Sequence, residues 1–128
     1  MKQEYLIRLG MLQQEAERLG QENEAINKQI MELSELKKNL NDFLSAKNKD
    51  ALVSLGKGIF SKAELKDKEL YVNIGAGVVV KKNVPDTIKI IDEQVLKLEE
   101  AKENLMREME SLNLQVQETL ARQEAEKE

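Results

Sequence analysis

The chain has 128 residues, of which 34% are charged and only 3% aromatic, and it carries a formal net charge of −4. It contains no Cys and no His, which excludes disulfides, thiol nucleophiles, Cys/His zinc sites and imidazole acid–base chemistry together. With no Trp and a single Pro, the Glu-, Lys- and Leu-rich balance argues against an aromatic-cored globule. It fits long helices that bury their apolar surface helix on helix or between chains.

The opening run MKQEYLIRLG has no apolar stretch long enough for a signal peptide, and no segment is long enough to span a bilayer. The absence of Cys is compatible with a reducing compartment. The expectation is a soluble cytoplasmic protein with no membrane partner and no cofactor.

The spacing predicts a first helix from residue 5 to about 44. Tyr5, Leu9, Leu12, Ala16, Leu19, Asn23, Ile26, Ile30 and Leu33 alternate gaps of four and three, a heptad stripe. Asn23 is the polar member, a residue type that fixes register at a cost in stability. After Leu33 the apolar spacing slips to Leu36, Leu40 and Phe43 or Leu44, which predicts local overwinding. Asn48, in SAKNKD, is the expected C-terminal cap.

Between the helices the period changes to two, and one phrase occurs twice, 19 positions apart: LVSLGKGIF (Leu52 to Phe60) and YVNIGAGVV (Tyr71 to Val79). Leu52 matches Tyr71, Val53 matches Val72, Leu55 matches Ile74, and Ile59 matches Val78; the glycine pairs Gly56/Gly58 and Gly75/Gly77 align too. Two β-hairpins are predicted, Leu52 to Leu65 and Leu70 to Lys82. GKG and GAG lack the third glycine of a dinucleotide fingerprint and the Lys-Ser ending of a P-loop, and neither opens a helix. Turns that need positive φ explain them better. Short strands with exposed edges invite pairing with strands of another subunit, so this insert reads as an assembly platform.

The second helix is predicted from Asn83, with Asn83 as cap, Pro85 in the first turn, and Asp86 favourable to the helix dipole. Its stripe is Val84, Ile88, Ile91, Val95, Leu98, Lys102, Leu105, Met109, Leu112 and Val116. Past Leu120 the run ARQEAEKE has no stripe and is expected to fray. Each helix is about 60 Å long. Equal lengths around a compact insert predict that they fold back antiparallel, with both chain ends at one tip. The organisation is therefore 1–48, first coiled-coil helix; 49–82, double β-hairpin; 83–128, second coiled-coil helix.

Charge is polarised along the chain. Residues 45–85 hold eight lysines against four carboxylates, a net of +4, while residues 102–128 have a net of −3 and residues 1–24 a net of −2. Two readings fit: an unevenly sampled solvated surface, or acidic ends that meet a basic partner. The central lysines lack the interleaved aromatics of a nucleic-acid surface. The carboxylates form no apolar-set pair, so no catalytic constellation is present and no enzyme is expected. At the tips, Leu6, Ile7, Met11, Met106 and Leu114 lie beside the stripe and widen the apolar face. They suit either a third helix or an adaptable surface for partners.

With those features in place, the chain resembles the prefoldin family, in particular its α-class subunit with two hairpins. The resemblance runs over helix, LVSLGKGIF, LYVNIGAGVVVKKNVPDTI and helix, and the second phrase is its specific part. Lys57, Val79 and Pro85 depart from the family pattern. The resemblance implies an α+β fold: a long antiparallel coiled-coil hairpin with two β-hairpins at the bend that assemble into an intersubunit β-barrel. It also implies an ATP-independent chaperone subunit, working with β-class subunits (two α with four β) or with itself. Such a subunit holds unfolded polypeptides at its tips and delivers them to a group II chaperonin.

On that resemblance, client binding falls to Tyr5, Leu6, Leu9, Met11, Leu12, Met109, Leu112, Leu114, Val116 and Leu120. Assembly falls to Val53, Leu55, Ile59, Val72, Ile74, Val78 and Val80. With the chaperonin as the basic partner that the charge polarity suits, docking is expected at the acidic end, Glu118, Glu124, Glu126 and Glu128. Two alternatives stay open: a self-assembling filament or structural coiled-coil protein, and a coiled-coil adaptor with one folded partner.

Overall fold

A computed structural model describes residues 2–127, with side chains as far as Glu126. In chain order the elements are α1 (Lys2–Ser45), β1 (Asp50–Gly56), β2 (Ile59–Glu64), β3 (Leu70–Gly75), β4 (Val78–Lys82) and α2 (Val84–Lys127). Two long helices with two β-hairpins between them make the α+β arrangement the sequence leads one to expect. The chain forms two compact units. One joins α1 as far as Glu32 to α2 from Val95; the other spans Leu33–Gln94.

The first unit is an antiparallel helix pair. Leu12 and Leu19 of α1 meet Leu105 and Leu112 of α2, and Ile26, Met109 and Val116 pack against them. Leu19 is the centre of this seam, at 1% exposure. Asn23 sits in the stripe as expected, and its Oδ1 is buried with no hydrogen-bond partner, so the polar break has a real cost. The α2 stripe runs past Val116 to buried Thr119 and half-buried Gln123. The Thr119 hydroxyl accepts from Arg8 Nε at 3.3 Å and donates to the Gln115 carbonyl at 2.8 Å. On the outer face, Arg18 ties Glu15 and Glu22 together, and its hydrogen bonds hold the exposed Glu15 carboxyl below the usual carboxylate range.

The expected fraying after Leu120 does not occur: α2 remains helical to Lys127. Ala, Arg, Gln, Glu and Lys are all strong helix formers, and that propensity outweighs the missing stripe. The weak spots are in α1 instead. A Cβ built at Gly20 meets nothing within 4 Å. Gly20→Ala should therefore raise stability by about 1 kcal/mol, through helix propensity alone. Thermal melting followed by circular dichroism checks this; a lowered midpoint would mean that Gly20 is needed for a close approach.

In the second unit, Leu40, Val84 and Ile91 are buried. The expected slip after Leu33 is not realised. Lys37 occupies the next heptad position and is half-buried, while Leu36 is exposed. The aliphatic stem of Lys37 fills the stripe, and its ammonium reaches Asp92 of α2 at 2.8 Å. At the start of α2, Asn83 caps as expected: its Oδ1 accepts from the Asp86 backbone N–H at 2.8 Å, and its Nδ2 donates back to Asp86 Oδ2 at 3.0 Å.

Asn48, by contrast, does not cap α1. Its Oδ1 accepts from the Asp50 N–H at 3.0 Å and shapes the approach to β1. The helix end is satisfied by Ser45, whose hydroxyl donates to the Asn41 carbonyl at 3.0 Å, and by Lys68, from the linker between the hairpins.

The hairpins are near copies. β1 pairs antiparallel with β2, and β3 with β4, each as a separate two-stranded sheet. Register shifts by one residue between Ser54 and Gly56, and identically between Asn73 and Gly75, leaving Leu55 and Ile74 as bulge residues. The turns reverse at Lys57-Gly58 and Ala76-Gly77, all four with positive φ (47°, 79°, 52° and 74°). These are type I′ turns, whose twist matches the strands, and they account for the second glycine of each Gly-x-Gly.

Candidate functional site

Cross-strand register sorts the hairpin side chains into faces. In the first hairpin, Ala51 opposes Ala63 and Val53 opposes Ser61; in the second, Leu70 opposes Lys82 and Val72 opposes Val80. Alternation along β2 and β4 adds Ile59 and Val78 to these faces. The sequence-chosen set therefore shares one face of each ribbon, with Leu55 and Ile74 at the bulges. Val72 and Val80 are half-buried, whereas Val53, Leu55, Ile59, Ile74 and Val78 are exposed.

The opposite faces went unnoticed in the sequence. They carry Leu52 and Phe60 in one hairpin and Tyr71 and Val79 in the other, with Leu52 at 66% and Tyr71 at 67% exposure. The signal was present, since the repeat aligns Leu52 with Tyr71. Strict period-two reading assigned one apolar face per strand and passed over the second. A two-stranded ribbon that is apolar on both faces and unpaired at both edges is marginal in water by itself.

In the helix-pair unit, the sequence-chosen tip residues separate into three layers. Leu12 and Leu112 are buried in the seam; Tyr5, Leu9, Met109 and Val116 are half-buried; Leu6, Met11, Leu114 and Leu120 are exposed, Met11 to 65%. Where the start of α1 meets the end of α2, an open groove of about 640 Å³ is lined by the apolar Tyr5, Ile7, Met11 and Leu12 and by the polar Glu4, Arg8, Gln115, Thr119, Arg122, Gln123 and Glu126. Of the residues that widen the apolar stripe, Ile7 and Met11 line the groove, while Leu6, Met106 and Leu114 lie outside it. Of the acidic set, Glu118, Glu124 and Glu126 are exposed on the last turns of α2, and Glu128 lies outside the described residues. Among the described residues no cluster of acidic side chains is placed to hold a metal, and no helix is long and apolar enough to cross a membrane.

The chemistry available is adhesive: exposed apolar strands in one unit, and a groove of mixed apolar and charged lining in the other. A family model described as prefoldin subunit matches residues 12–127. The crystal structure of the prefoldin beta subunit from Thermococcus strain KS-1 is similar in fold, with a TM-score of 0.61 and 24% identity, covering 94% of this chain and 86% of that one. The filamentous PFD from Methanocaldococcus jannaschii, solved by electron cryo-microscopy, is similar with a TM-score of 0.56 and 20% identity, covering 94% of this chain and 95% of that one. No curated protein matches the chain.

Proposed function

The chain belongs to the prefoldin family, a non-enzymatic chaperone family whose subunits assemble with one another, and from that premise we propose that it is the α-class, two-hairpin subunit of an ATP-independent holding chaperone. In this reading the hairpins close with those of neighbouring subunits, β-class or its own kind, into a β-barrel. The helix ends hold unfolded polypeptide in the cytoplasm and pass it to a group II chaperonin. The observation that carries the proposal is the concentration of exposed apolar side chains on both faces of the hairpin ribbons, together with the exposed Leu6, Ile7, Met11, Leu114 and Leu120 at the helix ends. The presence of two hairpins favours the α class over the β class, which has one.

The test separates the two surfaces. Removing residues 1–12 and 112–128 takes away the groove and leaves both hairpins. The truncated protein should keep its oligomeric mass in light scattering, yet lose suppression of aggregation of an unfolded client. Full suppression after truncation would place client binding elsewhere. The same assay run across salt concentrations tests docking by the acidic end, Glu118, Glu124, Glu126 and Glu128. Exposed charges are screened over about 8 Å at physiological ionic strength, so chaperonin association should weaken as salt rises, while apolar client holding should not. Equal salt sensitivity of the two activities would remove the docking assignment.

Hairpins with two open edges also suit self-assembly into an open filament, and the similar M. jannaschii structure is of a filamentous PFD. Sizing and negative-stain microscopy of the chain alone separate a closed oligomer from a filament.

A further inference from the structure

The inter-hairpin linker, 65–69, is joined to its surroundings by a specific set of bonds. Its first residue, Leu65, donates its N–H to the Lys49 carbonyl at 2.7 Å. Asp67 Oδ1 accepts from the Glu69 N–H at 3.0 Å, a local turn, and the Glu69 carboxylate pairs with Lys81 of β4. Lys68 sits between these contacts and reaches back to the helix. Its ammonium donates to the Phe43 carbonyl at 2.8 Å and to the Ala46 carbonyl at 3.0 Å, and it lies 4.9 Å from the centroid of the Phe43 ring.

A lysine ammonium has three donors. Two are used on carbonyls that a helix end leaves without partners, and the charge faces an aromatic ring, whose face is electronegative. The last turn of α1 contains no basic residue of its own, so Lys68 supplies from 22 residues beyond Ala46 the positive charge that a helix C-terminus favours. Both Lys68 and Phe43 are half-buried, which partly shields the bond to the Phe43 carbonyl, while the bond to the Ala46 carbonyl is exposed.

We infer that Lys68 is the positioning residue of assembly: by tying the inter-hairpin linker to the end of α1, while β4 runs directly into α2 through Asn83, it fixes the direction of β3 and β4 relative to α1 and presents the second hairpin to a neighbouring subunit. β3 begins at Leu70, two residues after the clasp, and Glu69–Lys81 carries the constraint across to β4. Hairpin closure itself does not involve Lys68, because the I′ turn and the β3–β4 register are made entirely within residues 70–82. Without the clasp the second hairpin still forms, but it samples many directions, and association has to supply the lost ordering entropy. The inference rests on the reading that the hairpins are the assembly surface.

The experiment compares Lys68→Met, which keeps most of the aliphatic stem and removes the ammonium, with Lys68→Arg, whose guanidinium can still donate to both carbonyls and stack on Phe43. Assembly midpoints are measured by sedimentation of the full chain as it self-associates or joins other prefoldin subunits, and amide exchange is followed at 43–46 and 70–82. Loss of charge-assisted hydrogen bonds should shift the Lys68→Met midpoint to about tenfold higher concentration. Exchange at 43–46 should accelerate, helix content should be unchanged, and Lys68→Arg should retain most of the wild-type affinity. Lys68→Met assembling at the wild-type midpoint overturns the inference, as does equal loss in both variants, which would indicate a general packing defect. Ile74→Asp serves as the reference. If it dissociates the oligomer while Lys68→Met does not, only the role of Lys68 fails. If Ile74→Asp leaves the oligomer intact, the hairpin-assembly reading fails, and faster exchange at 43–46 still shows whether Lys68 caps the helix.

Discussion

Replacing Leu19 with Ala should destabilise the chain by about 3 kcal/mol, the middle of the range for emptying a buried leucine site. Leu19 is 1% exposed and lies among Leu12, Leu105 and Leu112. Each residue of that seam comes from a rigid helix, so little can collapse into the space left behind. The helix pair has few other buried groups over which to spread the loss. A drop in melting midpoint on the order of 10 °C is expected by circular dichroism at 222 nm. Met31→Ala, at a position 71% exposed, is the matched control and should change stability by less than about 0.5 kcal/mol. Equal effects at the two positions would mean that the Leu12–Leu112 cluster is not the core of the helix pair.

Ile74→Asp should have the opposite profile, with a small effect on the isolated chain and a large one on the oligomer. Ile74 occupies the β3 bulge and is 60% exposed within a single chain, so a carboxylate there remains solvated and the hairpin can form. If neighbouring subunits cover this face, the same carboxylate must lose its water with no partner to replace it, which costs several kcal/mol. Light scattering should then report monomers or small species with an undiminished helix signal. An oligomer of unchanged mass would remove Ile74 from the assembly surface.

How far the structure could be read from residues alone varied with how local the responsible physics is. The α2 stripe, from Val84 to Val116, follows from spacing alone, and so does its cap at Asn83. The α1 stripe departs from an apolar-only count at two places: Ala16 is exposed beside the half-buried Glu15, and Lys37 rather than Leu36 takes the position after Leu33. A lysine can fill a seam position with its stem while its charge finds Asp92. The cap at the end of α1 was out of reach for a different reason: Asn48 was a local guess, whereas Lys68 acts from 25 residues beyond Phe43. In the hairpins, the repeat located strands, turns and one apolar face. Nothing in a period-two pattern states that Leu52, Phe60, Tyr71 and Val79 would leave the other face equally bare. At the helix ends, Leu12 and Leu112 belong by spacing to the heptad stripes and by resemblance to the client-binding set, and the antiparallel pairing buries both.

The duplicated hairpins also set a sorting problem for the chain as it folds. β1 and β3 carry the same bulge at the same step, and β2 and β4 follow the same turn, so β1 matched with β4 would satisfy much of the register that β1 matched with β2 does. Energetics alone would discriminate poorly between them. Speed discriminates instead. A two-residue turn brings its flanking strands together within about 1–10 μs, before a loop spanning the other hairpin can close. The left-handed residues at Lys57-Gly58 and Ala76-Gly77 thus keep each strand with its sequence neighbour by closing first. Stiffening either turn should suppress mispaired species, and loosening one should let strands exchange between chains.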